Sequence, residues 1–425
     1  MAYRVSVEQF SQPAVAPGLL TLQRAVLWLI GISGAIVSIE PSPYEFATLL
    51  GVVVFFATGL RMQPVFLPLV LLLVLINIGY SVSAIAFFDQ SDVVNWIATS
   101  WYMAVTAFFF ALVLSEHTRD RLDMLSRGCV AGAIVTSLAG ILGYFHAIPG
   151  GYDFLTLYSR ARGFFKDPNV LGAFLILPGL IALQSILLDR FGKSVRSGVV
   201  FAIIALAVLL SFSRAAWGQL VFTAAFVVAV TFLTSPSRSE RARIVGIAVV
   251  AMVLAVLLLA VLLSFDSIGG LFKERASLDQ SYDTGRFGRF GRHVLGFQMS
   301  LDFPLGIGPL QFGKYFPEAT HNSFLNAFMS GGWLSGVCYP ALSFVTVGFG
   351  FHYLLVKTPW QRAYIAFFAA FLGSFFESFI IDTDHWRHYF MMLGAMWGMF
   401  AASQAYIGRQ LARGTTIGLV ARRPA

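Results

Sequence analysis

The sequence predicts an all-α integral membrane protein of about twelve transmembrane helices, with a long and partly helical loop on one side. Three observations predict it. Of 425 residues, 57% are hydrophobic and 12% charged, and the mean hydropathy is +0.76. Apolar stretches of roughly 20 residues, each enough to cross about 30 Å of hydrocarbon, recur along the chain. Lys and Arg gather in alternate connections between those stretches, as topology demands of a polytopic protein. Such a composition does not fold into one water-soluble core under a polar shell.

In chain order, spans are expected near 21–39, 44–60, 65–88, 93–114, 127–147 and 169–188, then near 198–212, 215–234, 243–265, 322–355, 363–381 and 386–408. The 322–355 stretch is long enough to tilt or break. The chain then divides into an N-terminal tail (1–20), a first group of helices (21–147), and a core (148–355) with outer loops at 148–168 and 266–321. A last group of helices (356–408) and a basic tail (409–425) follow. The first 20 residues lack the apolar run and small-residue cleavage site of a signal peptide. Cys129 and Cys338 fall inside spans, which suits buried small hydrophobes rather than a disulfide.

Orientation follows from the basic residues. Arg61, Arg119, Arg121, Arg127, Arg190, Lys193, Arg196, Arg238, Arg241, Arg243, Lys357 and Arg362 all fall on one side with the C-terminal tail, so both termini are expected in the cytoplasm. The formal charge of +8 is thereby explained by topology and anionic lipid, and no nucleic acid is implied.

The opposite face has no topological reason to hold cations, yet three of its loops do. The first, 149–169, carries Arg160, Arg162, Lys166, Asp167 and Asn169 among aromatic residues, which serve either as an interfacial belt or as sugar-stacking platforms. The second is the tip of a hairpin. Residues 197–234 would make a helix of about 55 Å, too long for one crossing, so the chain folds back at Ser211, Ser213 and Arg214. An arginine in so apolar a setting marks either a site facing a cavity or a snorkelling cap. The third, 265–320, holds Arg286, Arg289 and Arg292 at three-residue spacing. In a helix they form one stripe, and with Gly285, Gly288 and Gly291 they suit a backbone nest; either arrangement binds phosphate.

Pro304-Leu305-Gly306-Ile307-Gly308-Pro309 reads as a turn that allows close backbone approach. His321 then sits at a loop-to-helix boundary, where Thr320 or Asn322 can cap the helix. Nearby arginines would hold its imidazole neutral and able to act as a general base. Asp382, Asp384, His385 and His388 cluster near the last span, but Arg387 among them and the lack of a recognised ligand spacing argue against a metal. Glu377, near the outer end of its span, is a further buried acid.

Four motifs together resemble the bacterial O-antigen ligase and polysaccharide polymerase family: Gly163-Phe164-Phe165-Lys166-Asp167-Pro168-Asn169 entering a span, Ser213-Arg214, Gly285-Arg286 ahead of the Pro304–Gly308 turn, and His321-Asn322-Ser323-Phe324-Leu325 followed by Gly331-Gly332. They cover roughly residues 150 to 350. The resemblance implies a multi-pass protein of the bacterial inner membrane with a periplasmic site, transferring a glycan from undecaprenyl pyrophosphate with inversion and without metal or cofactor. By it His321 is the catalytic base, and Arg214 with Arg286 first, or Arg289 second, holds the pyrophosphate. Arg160, Arg162, Lys166, Asp167, Asn169, Arg292, Asn322 and Glu377 are secondary candidates. The acceptor is another glycan (polymerase, the favoured reading) or lipid A core (ligase); a chain-length regulator protein is a possible partner besides membrane lipids. The competing class is a secondary transporter, disfavoured because the two halves show no self-similarity and the charges crowd one surface.

Overall fold

The computed structural model describes residues 17–276, 283 and 285–413. Residues 1–16, the end of the basic tail from 414 to 425, and 277–282 and Thr284 ahead of the arginine run lie outside the described residues. The long helices are α1 (Pro17–Ser33), α2 (Pro43–Ala57), α3 (Leu67–Ser83), α4 (Ser91–Ser115) and α5 (Thr118–Tyr144). A short α6 (Gly151–Leu155) and a two-residue hairpin, β1 (Thr156–Leu157) with antiparallel β2 (Arg160–Ala161), lead into α7 (Pro168–Leu188), α8 (Phe191–Leu210), α9 (Arg214–Thr234) and α10 (Arg238–Leu263). The long connection holds α11 (Asp266–Ala276) and α12 (Arg289–Asp302) before α13 (Ser323–Tyr353), α14 (Gln361–Glu377) and α15 (Arg387–Ala412).

Among the described residues, eight helices are long and apolar enough to cross a membrane: α3 with the turn before it, α4, α5, α7, α8, α9, α10 and α13. Helices α1, α2, α14 and α15 occupy the four remaining stretches expected from hydropathy. Burial ranks them. The most apolar part of α7 is 78% buried and that of α10 only 6%, so α7 is central while α10 presents Val249, Met252, Leu254 and Leu257 outward.

Lipid offers no hydrophobic drive for helices to associate, so small residues that allow close backbone approach carry much of the packing. Gly128 and Gly132 of α5 lie against the backbone of α1 at Trp28, Gly31 and Ile32, and Gly394 and Gly398 of α15 against α4 at Ala107 and Ala111. Both cysteines are buried and free.

One detail differs from expectation. Helix α5 begins at Thr118 and α10 at Arg238, so Arg119, Arg121, Arg127, Arg241 and Arg243 stand on the N-terminal turns of helices rather than in loops. Polar first turns extend a helix past its apolar stretch, and Arg121 is buried there, donating to the Val113 carbonyl at 2.7 Å. The long 322–355 stretch does break: Gly332 (φ 64°, ψ −162°) interrupts α13. Into that break docks the Pro304–Gly308 turn, whose Pro304 carbonyl accepts from Trp333 N at 2.9 Å while Ile307 N donates to Met329 O at 2.7 Å.

Alternate connections gather at opposite ends of the bundle. One end joins Arg61 to Glu116 and Arg362 to Asp189. The other joins Glu40 to Lys166 and Arg387, Gln90 to Gln311, and Arg160 to Ser211.

Candidate functional site

At the second of these ends a cavity of about 760 Å³ opens among the three cation-bearing loops. Its lining includes Arg160, Arg214, Arg275, Arg289, Asp283, His321 and Glu377. Below the polar rim it is apolar, with Ala215, Gly218, Phe222, Phe376 and Ile380 along α9 and the end of α14.

Arg214 is the first residue of α9. Ser213 caps that helix by accepting from Ala216 N at 3.3 Å, and Phe212 at φ 47° makes the reversal from α8. Asp283 accepts from Arg214 Nη2 at 2.6 Å and lies 3.3 Å from Arg289 Nε. Two guanidiniums, from segments 69 and six residues away, thus meet on one carboxylate, which itself is 6% exposed.

The arginine run divides by the start of α12. Gly288 is the N-cap, so Arg289 and Arg292 are helical and Arg286 precedes the helix. Arg289 faces the cavity. Arg292 turns inward, is 1% exposed, and pairs with Glu318 at 2.6 Å. Arg286 is exposed over the Phe287 ring and is not part of the cavity lining.

Of the first loop, Arg160 reaches the cavity, donating to Ser211 O and Asn169 Oδ1, each at 2.7 Å, and so tying the hairpin, α7 and the α8–α9 tip together. Asn169 lines the cavity as well. Asp167 caps α7 by accepting from Asn169 N at 2.7 Å. Lys166 pairs with Glu40 at 2.7 Å, and Arg162 donates to the Phe154 and Asp153 carbonyls. Neither of these last two cations is in the lining.

His321 adopts φ 48°, a left-handed conformation that costs a non-glycine residue energy and must be held by its surroundings. Asp382 holds it. Its carboxylate accepts from Thr320 Oγ1 at 2.8 Å, His321 N at 3.0 Å and Asn322 N at 2.9 Å, while Asn322 caps α13 through Leu325 N at 2.9 Å. His293 of α12 contacts Thr320 O at 3.0 Å. Burial, and then the Arg289 guanidinium, hold the His321 imidazole below the ordinary histidine pKa, so it stays neutral and able to accept a proton.

Glu377 is 3% exposed with Oε1 facing no hydrogen-bond partner; Gln219, with its amide nitrogen turned to it, donates to Oε2 at 2.9 Å. Of the acidic and histidine cluster near the last span, Asp384 accepts from Asn326 and lies 3.6 Å from His385 Nδ1, His385 contacts Trp96 O, and His388 is buried apart from them on α15. Among the described residues no three His, Cys, Asp or Glu side chains are placed to hold a metal ion.

Arg275, Asp283 and Gln219 were not singled out from the sequence as site residues. Asp283 had a weak signal, a carboxylate just ahead of an arginine run; Arg275 had none beyond its charge.

Residues 199–339 match the family model described as O-antigen ligase. That segment holds Arg214, Asp283, Arg289 and His321, and the match supports the O-antigen ligase/polymerase family and, with it, glycan transfer as the class of activity. No curated protein matches the chain.

Proposed function

We propose that this membrane protein of the O-antigen ligase/polymerase family transfers a glycan from undecaprenyl pyrophosphate to a sugar hydroxyl at the periplasmic face of the bacterial inner membrane, as a surface-polysaccharide polymerase. In this reading twelve helices cross the membrane and both termini are cytoplasmic. The observation that carries it is the meeting of Arg214 and Arg289 on a single carboxylate above an apolar wall. The same arrangement suits an anionic head on a long apolar tail, the shape of a lipid pyrophosphate.

Arginine serves because its planar fork matches phosphate oxygens and stays charged while negative charge develops on the leaving group. We assign the loop-arginine role to Arg289 rather than Arg286, since Arg289 lines the cavity. His321 takes the proton of the acceptor hydroxyl as its oxygen bonds to the anomeric carbon from the face opposite the phosphate. The bond from that carbon to the phosphate oxygen breaks, undecaprenyl pyrophosphate leaves with the electron pair, and the configuration inverts. Arg160 and Asp382 position the loops. A general base is typically worth roughly 10²- to 10⁴-fold, so His321→Ala should reduce transfer by that factor with the protein still at normal level in the membrane; full activity would remove the proposed base.

The description of the matched family favours one other acceptor, lipid A core, which would make the chain a ligase. In cells, loss of a polymerase leaves single repeats on their normal acceptor, and loss of a ligase strands long chains on the lipid carrier. The glycan profile of a deletion strain decides between them.

A further inference from the structure

A second cleft lies at the same end of the bundle and is almost the first one's equal in size, about 750 Å³ against about 760 Å³. Its chemistry is the reverse. The first is lined by four arginines; the second by Glu40, Asp92, Glu318, Asp382 and Asp384, with Arg387 its one arginine or lysine among the described residues. Two tryptophans border it. Trp96 packs against His385 with ring centroids 4.1 Å apart, and Trp386 follows in sequence. Asn95, Thr99, Thr320 and Asn326 add neutral polar groups.

The two clefts share one wall. Glu318 and Thr320 face the second, and the next residue, His321, faces the first. Thr320, on the second cleft, is thus one residue from the proposed base, and Arg214 and Arg289 line only the first.

We propose that this second cleft binds the acceptor glycan, and that it takes uncharged or amino sugars. The inference rests on the transferase reading and names the acceptor chemistry that reading leaves open. Carboxylates are acceptor-only groups and sugar hydroxyls are donors, so the exposed Asp92, the lone pairs that Glu40, Glu318 and Asp384 keep beyond their partners Lys166, Arg292 and Asn326, and the side-chain amides can satisfy a chain of hydroxyls. Aromatic side chains add broad apolar contact with a polar edge, as sugar rings require. The same carboxylates repel phosphate and carboxylate-bearing ligands, so the donor's pyrophosphate is turned toward the arginines while the acceptor enters opposite. Sorting the substrates by charge prevents the two from exchanging places.

The test uses the full-length protein in nanodiscs with lipid-linked donor. The acceptor is a repeat-unit oligosaccharide freed of its carrier, which lacks pyrophosphate and so can only accept. Gly313, on the rim, has open space around the position a Cβ would take, so Gly313→Trp should obstruct the cleft without disturbing the fold; Asp92→Lys changes its charge at an exposed position. We expect each to raise the acceptor KM by about tenfold or more, with donor KM and kcat at saturating acceptor unchanged. We also expect an oligosaccharide of uronic acids to be a poor acceptor for the wild type and a better one for Asp92→Lys. Transfer by the wild type with unchanged acceptor KM in both variants overturns the cleft assignment alone, as does a uronic acid oligosaccharide accepted as readily as an uncharged one. Absence of His321-dependent transfer by the wild type overturns the transferase reading and this inference together.

Discussion

In the proposed reaction His321 carries the proton transfer, and its setting makes a pH prediction. Protonation removes its capacity to act as a base, and burial beside Arg289 holds its pKa below the ordinary value. The acid limb of the rate profile should therefore lie below about pH 6.5. Replacing Arg289 by Gln removes a positive neighbour, so the limb should move to higher pH in the residual activity; a limb that stays fixed would show that Arg289 does not tune the imidazole. Asp382 acts through position. Asp382→Ala removes the acceptor of three hydrogen bonds, and at about 1–3 kcal/mol for each stranded buried donor transfer should fall at least tenfold, with recovery in part by Asn. Arg214 and His321 were legible in the sequence because each is a polar group stranded at the edge of an apolar run. The choice of Arg289 over Arg286 was not, since a repeat of three does not say where the helix starts, and Gly288 sets that start. Asp283 was only faintly signalled, because its pairing with Arg214 is made across the fold, and nothing in the sequence marked Arg275 as part of the cavity lining.

Helix α13 shows what the element scale adds. Hydropathy located its ends within two residues (322–355 against Ser323–Tyr353) and its length allowed a tilt or a break, but which of the two occurs, and where, depends on a partner distant in sequence. Gly332 adopts a conformation open essentially to glycine, and a Cβ there would meet the backbone of Pro304 and Leu305. Gly332→Ala should cost about 1–3 kcal/mol in strain alone, read as lower thermal stability in detergent, and should loosen the turn that seats the connection leading to His321. Unchanged stability would mean that the turn does not dock against α13. The basic clusters of α5, α8 and α10 teach the complementary lesson. Charge placed them on the correct side of each apolar run, yet their residues are helical, because hydropathy marks where lipid contact ends and not where hydrogen bonding does.

Across the whole molecule, two ends of opposite character are separated by the apolar bundle. Both native cysteines are buried, so single introduced cysteines report their own accessibility. Tyr158, 78% exposed, lies at the end that bears the cavity, and Phe191, 84% exposed, at the other. A membrane-impermeant maleimide should label Tyr158→Cys in cells with a permeabilised outer membrane and Phe191→Cys only after lysis; the reverse pattern would place the cavity in the cytoplasm.

In the proposed reaction His321 and the paired arginines move a glycan off a lipid pyrophosphate without a metal. The most direct measurement is glycan transfer by purified protein in proteoliposomes, with donor, acceptor and EDTA present. The wild type should give an elongated product of inverted configuration, and His321→Ala and Arg214→Ala near-total loss. Equal transfer by His321→Ala, or transfer abolished by EDTA, would contradict the proposed reaction.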